Sequence, residues 1–419
     1  MEWKTSSLGD VCEMIARGIA PKYLEEGGIC VVNQKCIRGH SINYDLARRH
    51  DLTARKVNDE RYIKVGDVFV NSTGTGTLGR VAQVRVEPNE PTTVDTHVTV
   101  VRPKAELFYN DFFGYMLIKI EEEITSAGEG ASGQTELSRV KLEKEFLVSY
   151  PDSISEQKRL VAILDEVFAD IEQARAKTEQ NLKNARELFE SYLQQVFSQL
   201  GGECALKFMS DKSVLTMVDG DRGKNYPKKS DFYTSGYCLF LSTKNVRPNG
   251  FLFDETMFID EHRDNLLGKG KLAMNDVILT TRGTIGNLAL LDESVEYENI
   301  RINSGMLILR PNTQVLLPSY LFEIMRSGIV KRQIEDKVSG AAQPQLPIKT
   351  LNTFSFPVPA SLEFQRGVVD KIKVLEASIN GLAEIYEEKL NSLTELKQSI
   401  LQKAFSGELT EGVSKEEVA

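Results

Sequence analysis

The chain lacks any CxxC pair, and its five cysteines (Cys12, Cys30, Cys36, Cys204, Cys238) are odd in number. A disulfide framework or a zinc ribbon is therefore not expected, and a reducing, cytoplasmic setting fits best. No apolar run approaches the ~18 residues of a membrane span, and Met1-Glu2-Trp3-Lys4 lacks the basic-then-apolar pattern of a signal peptide. No membrane partner is expected. The four histidines (His40, His50, His97, His262) show no HExxH or other ligand spacing, so no metal site is expected either. Proline and glycine are both absent from Ser153 to Ser198, which leaves that stretch free to be one uninterrupted helix.

Catalytic motifs are missing as well. Gly74-Thr75-Gly76-Thr77-Leu78-Gly79 fits GxGxxG, but it leads into Arg80-Val81-Ala82-Gln83-Val84-Arg85, which alternates like a strand. A phosphate loop must instead open a helix. The sequence predicts a β-hairpin turn. Pro151-Asp152…Glu156-Gln157-Lys158 imitates a nuclease PD…ExK set, but the spacing is short and both acids are gone from Pro359-Ala360…Phe364-Gln365-Arg366. Helix capping explains it better. No Asn-Pro-Pro-Tyr/Phe segment of the kind that holds a flipped base occurs. No nucleophile–base pair stands out, so no catalytic residue is assigned.

What is present is a tandem duplication with an offset of 208 or 209 residues. Gly28-Ile29-Cys30 returns as Gly236-Tyr237-Cys238, Asp67-Val68 as Asp276-Val277, and Arg102-Pro103 as Arg310-Pro311. Gln157 answers to Gln365, and Phe197-Ser198 to Phe405-Ser406. Each half opens with an α+β part, about 1–152 and 203–358. Short β-rich runs there alternate with Gly, Asn and Pro turns, and one helix is predicted near 109–124 and 318–335.

Each half closes with a helical spacer, 153–200 and 361–406, and a tail follows at 407–419. Apolar positions recur in steps of three and four, including Leu164, Val167, Ile171, Thr178 and Leu182 in the first spacer. The second holds Ile372, Leu375, Ile379, Leu382, Tyr386 and Leu390, each 208 residues on. This is coiled-coil spacing. Both series break once, with two steps of four, at Thr178–Leu182 and at Tyr386–Leu390. Equal length and matched breaks predict that the helices are partners, each roughly 67 Å long at 1.5 Å per residue. Ser153-Ile154-Ser155-Glu156 is read as a capping box, and Gly201-Gly202 and Gly407 as stops. Antiparallel pairing with a pseudo-two-fold axis suits the duplication, and would return the C-terminal segment to the first domain.

Net charge is −9, but it is unevenly spread. Residues 151–205 and 357–419 each carry −4, whereas 206–356 carries 19 Lys+Arg against 17 Asp+Glu. A nucleic-acid surface would therefore sit on the α+β parts, and the acidic helices would face solvent or protein. Candidate binding residues are the polar segments shared by both halves. In the first half these are Gln34, Lys35, Arg38, Ser72, Thr73, Thr75 and Arg80. In the second they are Thr243, Lys244, Arg247, Thr281, Arg282 and Thr284. Amides and guanidinium groups read base edges, while hydroxyls and lysines favour phosphates. Net acidity leaves a second reading open, a two-lobed coiled-coil scaffold that binds only proteins.

The pattern resembles the DNA-specificity subunit of type I restriction–modification systems. The resemblance rests on Asp67-Val68…Gly76-Thr77-Leu78-Gly79 and Asp276-Val277-Ile278…Gly283-Thr284-Ile285-Gly286, on Gly133-Gln134…Leu137 and Gln343…Leu346, and on Ile400-Leu401-Gln402-Lys403-Ala404-Phe405-Ser406-Gly407-Glu408-Leu409. It implies two target-recognition domains that bind the two parts of an asymmetric double-stranded DNA sequence, with no catalytic residues in this chain. The implied partners are two modification (methyltransferase) subunits and the ATP-dependent restriction subunits. S-adenosylmethionine, ATP and Mg²⁺ would be bound by those partners, not by this chain.

Overall fold

The computed structural model describes residues 3–129, 135–200, 204–248, 250–338 and 345–409. Gly133-Gln134, Gly201-Gly202, Gln343 and most of the tail lie outside them. The chain divides into two compact units, Met1–Thr178 with Glu388–Ala419, and Glu179–Glu387. Each unit contains one α+β domain and one half of each of two 45-residue helices, Ile154–Ser198 and Leu362–Ser406.

In the first unit a mixed four-stranded sheet is ordered Thr92–Val94, Ile29–Val32, Arg48–His50, Tyr23–Leu24. A second, antiparallel sheet is ordered Cys12–Arg17, Val98–Pro103, Val68–Asn71, Val81–Gln83. The second unit repeats the latter as Leu215–Asp219, Met306–Pro311, Val277–Thr280, Leu288–Leu290, and the former as Phe258–Ile259, Cys238–Leu241, Ile300–Ile302. The central strands are β-branched and aromatic runs, VFVN and VILT, buried on both faces. Asp67 and Arg102 prove to be a pair. The carboxylate receives both arms of the guanidinium at 2.7 Å and the Lys64 amide at 2.8 Å. Asp276 does the same with Arg310, at 2.8 and 2.7 Å, and with the Ala273 amide at 2.7 Å. A bidentate pair with a backbone donor satisfies a carboxylate that is 1% exposed in both halves.

The helices pair antiparallel within each unit. In the first, Leu160, Leu164 and Ile171 share one core with Leu401, Ala404 and Phe405, and Val167, Leu393 and Ile400 pack onto it. Glu172 pairs with Lys397 at 2.8 Å, and Arg175 donates to the Thr394 hydroxyl at 3.5 Å. In the second, Leu193 and Phe197 share a core with Val368, Val369 and Ile372, and Arg186 pairs with Glu387 at 3.1 Å. In the first unit these contacts bring Thr178 close to the level of Leu390. Ile379 is buried, and Leu182, Leu375 and Leu390 are half-buried. Leu382, counted in the stripe, is 43% exposed. Near Phe197 the buried line shifts by one residue, because the helix there faces its domain: Phe197 stacks edge-on to Tyr320, as Phe405 packs on Phe112.

One side chain stitches each domain to its helix. Gln157 is fully buried; its Oε1 accepts from the Tyr109 amide at 2.8 Å, and its Nε2 donates to Leu107 O and Pro151 O at 2.9 and 3.0 Å. Gln365, equally buried, accepts from the Leu317 amide at 2.8 Å and donates to Val315 O and Pro359 O at 2.9 and 2.8 Å. Farther along the helix the halves differ. Tyr115 stacks edge-on with Phe168 and donates to Asp165 at 2.5 Å. At the corresponding positions Glu323, Arg326 and Glu376 form a charged cluster in which Arg326 is 5% exposed.

Three local expectations change. The single helix near 109–124 is two, Asn110–Lys119 and Glu121–Ser126, broken at Ile120. That near 318–335 is Pro318–Arg326 and Gly328–Val338, broken at Ser327, whose extended backbone (ψ 160°) and hydroxyl bond to Ile324 O end the first helix. The capping box is half formed. The Ser153 hydroxyl accepts from the Glu156 amide at 3.4 Å, but the Glu156 carboxylate turns toward Arg159 and leaves Oε1 buried without a partner. Ser361 caps the second helix through the Phe364 amide at 3.2 Å.

Gln157→Leu or Gln365→Leu removes the side-chain partner of three backbone groups, one of them in a fully buried bond, at ~1–3 kcal/mol for each buried group left unpaired. Each variant is expected to lose ~3 kcal/mol or more in denaturant unfolding, with the loss confined to its own unit. Gln173→Leu, at an exposed helix position, changes stability by less than ~0.5 kcal/mol. Equal behaviour of all three would remove the stitch from this account.

Candidate nucleic-acid interface

Two hairpin loops build the candidate surface in each half. The first follows the buried strand Ile29–Val32. Asn33 caps a single turn, Gln34–Cys36, by accepting from the Lys35 amide at 2.9 Å. A small hairpin, Ile37–Arg38 with Ser41–Ile42, then reverses through Gly39 and His40, both at positive φ. In the second half Ser242 caps Thr243–Asn245, and Val246–Arg247 pairs with Gly250–Phe251. The second loop of each half joins Val68–Asn71 to Val81–Gln83, and Val277–Thr280 to Leu288–Leu290. The GxGxxG segment is thus a hairpin turn. Gly74 suits that turn because its φ of +106° is one that other residues rarely adopt.

The predicted residues separate into solvent-facing and interior groups. Lys35, Arg38, Thr75, Lys244, Arg247 and Thr284 are exposed. Lys35, Arg38 and Arg80 line one concavity of about 700 Å³ with Asn43, Tyr44 and Thr77. Arg80 is partly committed: it donates to Gly76 O at 2.7 Å and Ile37 O at 3.4 Å, tying the two loops together. Gln34 accepts from the Thr77 hydroxyl at 3.0 Å, and the Thr73 hydroxyl meets His97 Nδ1 at 2.6 Å. In the second half a Cβ on Gly305 would lie 3.0 Å from Thr243 and 3.8 Å from Arg282, so these residues converge. Lys244 pairs loosely with Glu255, both largely exposed.

Ser72 and Thr281 belong to the interior group. Both are buried; Ser72 bonds Thr99, and Thr281 donates to Gly305 O at 3.1 Å. Their carbonyls receive the Leu137 and Leu346 amides at 2.8 and 3.0 Å, so the two residues fasten each loop to the segment before its helix. Sequence reasoning also missed how the first hairpin is held. His40 bonds Glu121 at 2.6 Å, and the same carboxylate accepts from the Val81 amide at 2.9 Å. His40 was legible as a lone histidine, but not its partner 81 residues away.

Burial pushes the Cys12, Cys30, Cys36 and Cys238 thiols above their ordinary range, Cys238 to about 12. Such thiols stay protonated and react slowly. Glu172 is held low by its bond to Lys397, so this acidic residue serves the helix pair itself. Among the described residues no helix is long and apolar enough to cross a membrane, and no three His, Cys, Asp or Glu side chains converge as a metal site.

The expected roles are testable. Arg38→Ala and Arg247→Ala should each cost ~1–3 kcal/mol on a preferred duplex and relax specificity at one position. Lys35→Ala and Lys244→Ala should weaken binding to all duplexes and flatten the salt dependence by about one unit. Titrations of preferred and scrambled duplexes at several salt concentrations decide. Wild-type behaviour of both arginine variants would move the reading surface elsewhere.

The chain matches the model of the type I restriction modification DNA specificity domain twice, over residues 1–182 and 209–394. It is 28% identical over 142 residues to the type I restriction enzyme EcoBI specificity subunit of Escherichia coli, covering 34% of this chain and 29% of that protein. It is 24% identical over 190 residues to the HindI specificity subunit of Haemophilus influenzae, covering 44% of this chain and 39% of that one. These alignments span well under half of either relative. Among solved structures, one described as the structural basis of complex assembly and conformational transition of the type I R-M system superposes with TM-score 0.74 at 19% identity, over 96% of this chain and 97% of the other. The HsdS subunit from Thermoanaerobacter tengcongensis gives 0.53 at 20% identity, over 97% of both chains. Matched in both halves over most of its length, the chain belongs to the type I restriction–modification DNA specificity family.

Proposed function

We propose that this chain is the DNA sequence-specificity subunit of a cytoplasmic type I restriction–modification complex. Each domain binds one half of an asymmetric, two-part duplex site, and the chain performs no catalysis itself. The doubling of the two-loop surface carries this reading: exposed Lys35 and Arg38 recur as Lys244 and Arg247 at the same place in the fold, on a domain family defined by DNA specificity. Two modification subunits and the restriction subunits dock on the chain, and S-adenosylmethionine, ATP and Mg²⁺ belong to them. Glu384, exposed on the second helix, is available to such partners, so reversing its charge should leave DNA affinity nearly unchanged.

A domain exchange tests the division of labour. Replacing residues 1–152 with another domain of the family should change one half of the preferred sequence and preserve the other, read by methylation of duplex pools with the modification subunits present. A change in both halves would contradict independent readers. Binding that does not fall with rising salt, or that nonspecific competitor DNA abolishes, would contradict specific DNA recognition altogether.

A further inference from the structure

The two halves are not electrostatically equal, and one loop makes the difference. Gly18 and Gly220 occupy the same corner: a Cβ on either would strike the backbone of the equivalent residues Asp95 and Asn303, at 2.3 and 2.1 Å. Gly28 and Gly236 are likewise equivalent. Between these markers the second half is six residues longer. From Gly18 to Gly27 there are one cation, Lys22, and two acids; from Gly220 to Ser235 there are four cations (Arg222, Lys224, Lys228, Lys229) and two acids, Asp221 and Asp231.

The added loop is built into the fold. Tyr226 and Phe232 pack on Phe240 with ring centroids 5.8 and 5.4 Å away. Asn225 donates to Leu266 O at 3.1 Å. The acids nearby are occupied: Asp221 accepts from the Gly223 and Gly268 amides at 2.7 and 2.8 Å, and Asp231 pairs with Arg263 at 3.0 Å. Lys224, Lys228 and Lys229 remain exposed. Arg222 pairs with Asp219 at 3.1 Å and donates to Ser304 O at 3.3 Å, and the residue after Ser304, Gly305, abuts Thr243 and Arg282. The basic loop is thus rooted beside the candidate surface of the second domain. At the position of Asp219 the first half has Arg17, which is tied to Glu136 at 2.6 Å and Leu137 O at 2.8 Å.

We infer that the loop 222–229 is a phosphate clamp that gives the second domain a stronger affinity for duplex DNA, independent of base sequence, than the first domain has. This rests on the DNA-binding reading above. Ammonium groups suit phosphate oxygens as point charges and carry no base code. The second half-site would then supply most of the nonspecific grip, and the first would contribute relatively more discrimination.

The test is the triple variant Lys224→Ala/Lys228→Ala/Lys229→Ala in the intact chain assembled with its modification subunits, titrated with preferred and scrambled duplexes. The salt dependence should flatten by about two to three units. Affinity should fall more than tenfold on both duplexes, with their ratio preserved. The triple arginine variant should retain wild-type behaviour, and Lys22→Ala should flatten the dependence by at most about one unit. Thermal melting of each variant separates loss of the clamp from loss of fold. An unchanged slope in the alanine variant, or a loss limited to the preferred duplex, overturns the clamp while leaving DNA recognition intact. A wild-type complex with no salt-dependent duplex binding overturns the DNA reading itself.

Discussion

A buried carboxamide fixes each domain to the start of its helix. Gln157 and Gln365 offer one acceptor and one amino group, and each uses them on three backbone groups: the start of the domain's helix pair, the turn before it, and the proline that ends the last strand. The bonds to Pro151 O and Pro359 O are buried, and through all three the side chain holds strand, turn and helix at one angle. The direction in which each long helix leaves its domain follows from this.

The binding surface has a similar logic at smaller scale. Short polar side chains hold the loops from inside and leave long cations outside. Ser72 and Thr281 anchor, Gln34 and Arg80 brace, and Lys35, Arg38, Lys244 and Arg247 remain at the surface. A rigid loop that presents mobile cations can be exchanged for another without disturbing the sheet beneath it. That suits the proposed role, in which halves that share a fold read different sequences.

Much of this was legible in the chain. The duplication, the two spacers and the matched heptad breaks follow from spacing alone, because helix period and repeat length are one-dimensional properties. The hairpin reading of Gly74–Gly79 followed from the alternation after it. What was not legible depends on contacts distant in sequence. Asp67 and Arg102 appeared as separate landmarks and are one ion pair. Ser72 and Thr281 read as ligands and are anchors, since a hydroxyl's direction is set by the strand it sits on. The aromatic junction of Tyr115 with Phe168 and the charged junction of Arg326 with Glu323 and Glu376 could not be told apart by period. A stripe analysis counts positions and is silent on chemistry. The lysines of the added loop were counted in the charge of the second domain but not located.

The central claim is that one binding unit occurs twice, each copy reading its own part of a duplex. Base-resolution footprinting of the assembled complex on its preferred duplex tests this most directly. The account predicts two separated groups of protected bases with an indifferent spacer between them, and loss of only one group's sequence dependence when that half-site is scrambled. A single continuous protected sequence, or protection unaffected by scrambling either side, would contradict it.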